Sequence, residues 1–480
     1  MNTAASSYLR AEPESRYLWI AIAFGLVAFA IGCGVSLALG ELEAMYVTAA
    51  LALCIAVMFD FRIGAIALVL MMPLQDTTLF PHALMGVTGL NPANLLLAAT
   101  LASCFLKIGL QGAGALLDRR LVWLYALPVF AAAAIGAPHA GEIIPYFYER
   151  ELIHFTSWPG YLRDILIRPS LLVVVGLLLG AAAVHSQKPE RFLIPIGISV
   201  WLMALVVIGF VAASGVRIGA LADASQREFF SELGIHANSL GRVFAAAYAL
   251  LLFPWWETRR AGLKLFLFCT IGVLSFALLV TFSRGAFVGF ILINLLFLVW
   301  KFNLRLLGLA LLGLVVAAMV MPEYVIGRVT VGFDTGDAND VSAGRVDGIW
   351  LPLLPELFRS PVWGNGLGSV MWSLPMQIGA MLPVTHPHNA YLEALLDMGL
   401  VGLVLMLAYF WHVWRRLRQL GGNAWLSPEM RGFFQGAAAA LLCFLVTGMA
   451  GSSLRPDSDF VYLWFAIGMM YGIAARKPGG

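Results

Sequence analysis

Charge is what this sequence has least of. Only 12% of its 480 residues are Asp, Glu, Lys or Arg, 61% are hydrophobic, and mean hydropathy is +0.86. A soluble chain carries about 25% charged residues, and a water-soluble fold could not hide this much apolar surface. Disorder is excluded on the same ground. The runs of uncharged residues are too long for the roughly ten-residue alternation of a membrane barrel. Cysteine is also scarce. Cys33, Cys54, Cys104, Cys269 and Cys443 all sit inside apolar runs, which argues against a disulfide framework or a cysteine-based metal site. There is no internal repeat, no low-complexity tract, no glycine-rich phosphate loop after a strand and no cluster of His and Cys. Asp334 to Asp340 lacks the Gly and Glu of a calcium loop. No metal, no cofactor and no nucleic-acid partner are expected. The class is an all-α polytopic membrane protein.

What is present is a succession of apolar spans. A window of about 19 residues gives fourteen candidates, starting near Leu18, Glu43, Ile63, Asn91, Leu121, Ser170, Phe192, Ala237, Lys264, Gly285, Leu304, Asn389, Gly432 and Phe460. The second, third and tenth are short, so about 12–14 transmembrane helices are expected. The first run, about 22 residues after Arg16, exceeds a signal peptide's core of roughly 7–15 and reads as a retained span. Three regions follow: 1–321 with the first eleven spans, a long loop 322–388, and the C-terminal spans in 389–480. Within the loop, Val346 to Phe358 is apolar with Trp350, Pro352 and Pro355, which suggests a short helix lying along the membrane surface.

The basic residues sort by loop. One face takes Arg10, Arg16, Arg62, Lys107, Arg119, Arg120, Lys188, Arg191, Arg259, Arg260, Lys264, Lys301, Arg305, Arg415, Arg416, Arg418, Arg431, Arg476 and Lys477. The positive-inside rule makes this face cytoplasmic, with both termini on it. The opposite face holds the long loops and only arginine: Arg150, Arg163, Arg168, Arg217, Arg227, Arg242, Arg284, Arg328, Arg345, Arg359 and Arg455. Arginine offers a planar fork for phosphate oxygens and stays charged when partly desolvated. The competing explanation is a general preference for arginine, 25 against 5 lysines.

The segment 385–402, THPHNAYLEALLDMGLVG, concentrates the chemistry. Asn389 is a good N-cap, which places His388 at the outer mouth of the twelfth span. Positions 388, 392, 395, 399 and 402 have helical spacing and are expected to share one face, with Gly399 and Gly402 admitting a neighbouring helix. Arg284 interrupts a long apolar stretch in Thr281-Phe282-Ser283-Arg284-Gly285. A charge there calls for a reason, because burial at the bilayer centre costs roughly 2.5–3.5 kcal/mol; a tight turn at the interface is the bland one. Arg242 shares a helical stripe with Asn238, and snorkelling to the headgroups is its bland explanation. Arg217 opens the preceding outer loop. A neutral imidazole, ordinarily of pKa about 6.5, can take a proton from an attacking hydroxyl, and arginines can neutralise a phosphate leaving group. Glu393 and Asp397 are the nearest acids, with Glu393 the better orienting candidate. Asp457-Ser458-Asp459 looks like a metal–nucleotide signature, but it falls in an outer loop where nucleotide sugars are not expected.

His388-Asn389, nine residues, then Gly399-x-x-Gly402 resembles the His-Asn/Ser-x9-Gly-x-x-Gly pattern of the bacterial O-antigen ligase family. The likeness extends to Ser283-Arg284-Gly285, Asn238, Ala343-Gly344-Arg345 and Gly364-Asn365-Gly366-Leu367-Gly368. It covers roughly residues 210–415. The resemblance implies metal-independent, inverting glycosyl transfer on the periplasmic side of the inner membrane. The donor would be an undecaprenyl-diphosphate-linked glycan and the acceptor the lipid A–core oligosaccharide, both embedded in membrane lipid. His388 would activate the acceptor hydroxyl. Arg217, Arg284 and Arg242 would hold the donor diphosphate, with Asn389, Asn238, Arg345, His386 and Glu393 in support. His386 has no clear counterpart in the family pattern. A repeat-unit polymerase of the same superfamily is the nearest alternative, a pilin or glycoprotein ligase a further one. A transporter is the alternative from another class, disfavoured because the polar groups gather at one face and no two-fold repeat is visible.

Overall fold

A computed structural model describes residues 27, 31, 34 and 42–476, except 85–86, 224, 321–322, 331, 333–335, 380–381, 383 and 452. Most of the first expected span, the 321/322 boundary and both termini lie outside the described residues. The other thirteen spans are all helices. They are α1 Leu42–Phe59, α2 Phe61–Met71, α3 Pro92–Leu116, α4 Leu121–Gly141, α5 Trp158–Val184, α6 Pro189–Ser214 and α7 Ala237–Glu257. After these come α8 Ala261–Val280, α9 Arg284–Trp300, α10 Leu304–Val320, α11 Ala390–Gly421, α12 Pro428–Thr447 and α13 Val461–Ala475. Nine helices among the described residues are long and apolar enough to cross a membrane, and shorter apolar helices occur at Tyr46–Phe59, Phe61–Leu74, Arg284–Trp300 and Leu304–Gly313. A two-residue antiparallel pair, Ala83–Leu84 with Val87–Thr88, is the strand structure among the described residues. The 346–358 stretch is helical as expected, in three short consecutive turns.

Helix starts follow local chemistry. Asp60, Asn91, His236, Ser283, Asn389 and Ser427 each cap a helix by accepting a backbone N–H two or three residues on. Away from water, an uncapped N–H would be left unsatisfied. One start departs from expectation. Hydropathy puts the sixth span at Ser170, whereas α5 begins at Trp158. Its first turns carry Arg163, Asp164 and Arg168, which lower the hydropathy. These charges are accommodated because Arg163 bonds Asp164 at 2.7 Å and Arg168 bonds Asp76 at 3.0 Å.

The centre of the bundle is α7, α12 and α13, whose close contacts rest on small residues. Gly176 and Gly180 of α5 meet Gly468 and Gly472 of α13. A Cβ on Gly180 would stand 2.1 Å from the Gly468 carbonyl oxygen, and one on Gly472 would stand 2.1 Å from that of Gly180. With no hydrophobic force between helices in lipid, such backbone approach is what packing rests on.

The two sets of basic residues separate in space. Arg62 bonds the His185 carbonyl, Arg476 that of Ser186, Arg120 meets His412 Nδ1 at 2.6 Å, and Lys301 and Arg431 both pair with Glu257. These belong to the lysine-containing set. The helix ends remote from them, at Asp76, Asn91, Arg168, Arg242 and Asp459, surround a cavity.

Candidate active site

That cavity has a volume of about 1160 Å³ and is lined by residues far apart in sequence. His388, His386, Arg345, Arg242 and Asn238 all line it. Five of the residues singled out from the sequence therefore meet in one place.

His388 does not sit on a helix face. Its φ is +52°, and α11 starts two residues later at Ala390. A non-glycine residue in this region is uncommon and strained by about 1–3 kcal/mol. The conformation is held from both sides. Asn389 caps α11 by accepting from the N–H groups of Tyr391 and Leu392, and Trp350 Nε1 donates to the Pro387 carbonyl at 2.8 Å. His386 then lies 3.1 Å from His388, Nε2 to Nδ1, with the rings at 70°.

The glycines of the motif also act differently from the sequence expectation. Gly399 breaks α11, with φ +64° and ψ −170°. No second helix enters there. The loop 361–366 does. Leu400 N donates to Pro361 O at 2.9 Å, Val401 N to Val362 O at 3.2 Å, Asn365 N to Leu396 O at 2.8 Å and Gly366 N to Asp397 O at 3.0 Å. Asp397 completes the clasp by accepting from the Gly368 and Ser369 amides and the Ser369 hydroxyl. A Cβ on Gly402 would meet Met398 of the same helix. The shared face of 388, 392, 395, 399 and 402 is thus interrupted at both His388 and Gly399.

Glu393 is buried and pairs with Arg455 at 2.6 Å. Arg455 also donates to the Ile165 carbonyl. This ties α11 to α5, so Glu393 serves Arg455 rather than orienting His388. Arg242 faces the cavity with Asp459 as its partner, Nε to Oδ2 2.6 Å. Arg345 meets no carboxylate among the described residues, and its guanidinium donates to the Ala450 carbonyl at 3.4 Å. Burial, then the positive charges of Arg284 and Arg242, press that guanidinium below the ordinary value. Arg284, first residue of α9, does not line the cavity but acts electrically on it through Arg345. Arg217 is exposed and outside the lining. Its turn, Ile218–Ala222, packs on the helix Glu323–Thr330, which reaches Phe282 beside Arg284.

Burial, then His386, Arg345, Arg242 and His236, push the His388 pKa down to about 3, and burial pushes that of His386 down to about 4. Both rings are neutral at neutral pH. Among the described residues no group of three or more His, Cys, Asp or Glu could hold a metal ion.

Residues 265–407 match the family model described as O-antigen ligase. The resemblance drawn from His388-Asn389 and Gly399-x-x-Gly402 leads to the same family. No curated protein matches the chain. The matched segment contains Arg284, Arg345, His386, His388 and the Gly399 break. Arg217, Asn238 and Arg242 lie before it. Over residues 265–407 the chain is similar to the O-antigen ligase family. Two cavity residues carry no signal in the ligase motif. His236 caps α7, its ring accepting from Asn238 N at 3.1 Å, and Asp459 holds Arg242. A histidine directly before the Ala237-Asn238 start of an apolar span is the clue the sequence offers to the first. Asp457-Ser458-Asp459 stands out in the sequence, but for a different chemistry.

Proposed function

We propose that the chain transfers an undecaprenyl-diphosphate-linked glycan to the lipid A–core oligosaccharide, on the periplasmic face of the inner membrane. The observation that carries this reading is the meeting, in one cavity, of a neutral histidine in a strained backbone with Arg242 and Arg345. His388 takes the proton of the acceptor hydroxyl. The oxygen attacks the anomeric carbon from the side opposite the diphosphate, and the configuration inverts. Arg345 and Arg242 hold the departing diphosphate, with Arg284 adding positive charge from beside Arg345 and Arg217 contributing from the neighbouring exposed turn. Diphosphate is already a good leaving group, so no acid has to protonate it. Asn238, Asn389 and Glu393 support the helices that carry these groups.

The deciding experiment supplies the purified protein in proteoliposomes with lipid-linked glycan and offers two acceptors. Glycan appearing on lipid A–core supports ligation. Extension of a second lipid-linked repeat instead assigns the polymerase reaction, and no transfer to either sinks the transferase reading. Turnover is expected to survive EDTA, because arginines meet the phosphate charge. Loss in EDTA with recovery on adding one divalent ion would overturn that. Arg345→Lys is expected to raise the donor KM by about tenfold, because a point charge replaces a bidentate fork. An unchanged KM would remove Arg345 from the donor site.

A further inference from the structure

We infer that His386 is a positioning residue for the transfer reaction, fixing the ring tautomer of His388 and sharing the charge that His388 acquires. The inference rests on the reading of His388 as the base. Its ground is geometric. The two rings meet Nε2 to Nδ1 at 3.1 Å, and one of these nitrogens must be the donor. If His386 donated, His388 would carry its proton on Nε2 and have no lone pair left to accept one. If His388 donates from Nδ1, its Nε2 keeps the lone pair. The Thr385 hydroxyl is compatible with the second arrangement, the one that leaves His388 able to act as a base. It stands 3.5 Å from His386 Nδ1, where it can accept that nitrogen's proton and leave His386 Nε2 as the acceptor. Pro387 fixes the backbone between the two rings, and the Trp350 bond to its carbonyl holds the pair in place.

The step then balances. The acceptor hydroxyl gives its proton to His388 Nε2, and its oxygen lone pair forms the bond to the anomeric carbon. The bond from that carbon to the phosphate oxygen breaks, and its electron pair leaves with the diphosphate. His388 is now protonated on both nitrogens. Its Nδ1–H bond to the neutral His386 strengthens, as a hydrogen bond does when its donor becomes charged. This is the service that a carboxylate performs for many functional histidines. Here the partner of the His388 ring is another histidine.

Three variants test this in the full-length protein in proteoliposomes. His386→Phe keeps the ring shape and removes the acceptor. His386→Gln loses the ring shape but its amide oxygen can accept from Nδ1–H. His386→Ala removes both. The Phe and Ala variants are expected to lose about 10- to 100-fold in kcat, the scale on which outer partners of functional histidines act. Their donor KM should stay within about threefold, and His386→Gln should recover most of the loss. Packing alone would give the reverse order, with Phe tolerated and Gln impaired, and that order overturns the inference. A second readout does not need turnover. Nitrogen-15 spectra of histidine-labelled protein, with the His388 signal found by difference against His388→Asn, should show the Nδ1–H form in the wild type. An Nε2–H form overturns the inference even if a variant folds poorly. If His388→Asn is active, the base reading itself fails. If His388→Asn is dead while His386→Phe is fully active, only the role of His386 fails.

Discussion

His388→Asn is expected to lose turnover by about 10²–10⁴-fold, the usual worth of a general base, while still binding the lipid-linked donor. Asparagine is the informative replacement. It can hydrogen-bond to His386 and tolerates a positive φ, so it keeps the strained conformation that the Asn389 cap and the Trp350–Pro387 bond impose. What it cannot do is accept a proton near neutral pH. His388→Ala would mix that loss with the loss of the contact to His386. Single-turnover transfer with donor pre-bound separates chemistry from binding. Near-native turnover in His388→Asn would reduce the histidine to a backbone device.

The pH profile refines the same prediction. A base works in its neutral form, so the rate falls as pH drops through its pKa. An ordinary histidine would put that limb near 6.5. Burial and the surrounding positive charge push His388 down to about 3, so the acid limb of kcat/KM for the donor, which reports the free enzyme, should lie well below 6.5. The imidazole is then fully available at neutral pH but weak as a base. Donor binding changes this. Among the causes of the low value are Arg345 and Arg242, whose charge an anionic diphosphate offsets. The acid limb of kcat, which reports the donor-bound enzyme, should therefore sit at higher pH than that of kcat/KM. Coincident limbs would mean that the diphosphate binds away from these arginines.

Sequence patterns are good at one kind of information here. A transmembrane helix must satisfy its own backbone, so its length and apolarity are written locally, and thirteen expected spans correspond to helices. The exception at α5 shows the limit. Hydropathy cannot see that Arg168 has Asp76 as a partner 92 positions away. The candidate site divides the same way. His388, Asn389, Asn238 and Arg345 are legible because each sits at a helix end or turn with its own local signature. The pairing of Arg242 with Asp459 and that of Glu393 with Arg455 are not, since each joins segments whose only relation is tertiary. Along the chain, Pro387 separates His386 from His388 and leaves it in the loop. In the fold, the rigid proline and the positive φ of His388 bring the two rings together.

Gly399 is where the local pattern and the fold part with the largest structural consequence. Glycine at this position looks like a notch for a second helix, for which alanine is a mild substitute. Its φ of +64° with ψ of −170° belongs to a region that only glycine occupies readily. Alanine's Cβ would also stand 2.3 Å from the Val362 carbonyl oxygen and 2.6 Å from the Gly364 nitrogen, which are backbone atoms that cannot rotate away. Relief means withdrawing the 361–366 loop, which strands the Leu400 and Val401 amides at the helix break. Strain of about 1–3 kcal/mol adds to about 1–3 kcal/mol for each buried polar group left without a partner. Gly399→Ala is therefore expected to lower stability by more than about 3 kcal/mol, on the sum of those two terms. The thermal unfolding midpoint in detergent should fall, and a protease should cut near Trp363, which the clasp now holds. Gly262→Ala is the matched control. It lies early in α8, and an added methyl would have open space for 4 Å around it, so it should be neutral or slightly stabilising. If Gly399→Ala matched Gly262→Ala in both measurements, the break in α11 would not be what joins the 361–366 loop to the bundle, and the clasp at Asp397 would have to hold it alone.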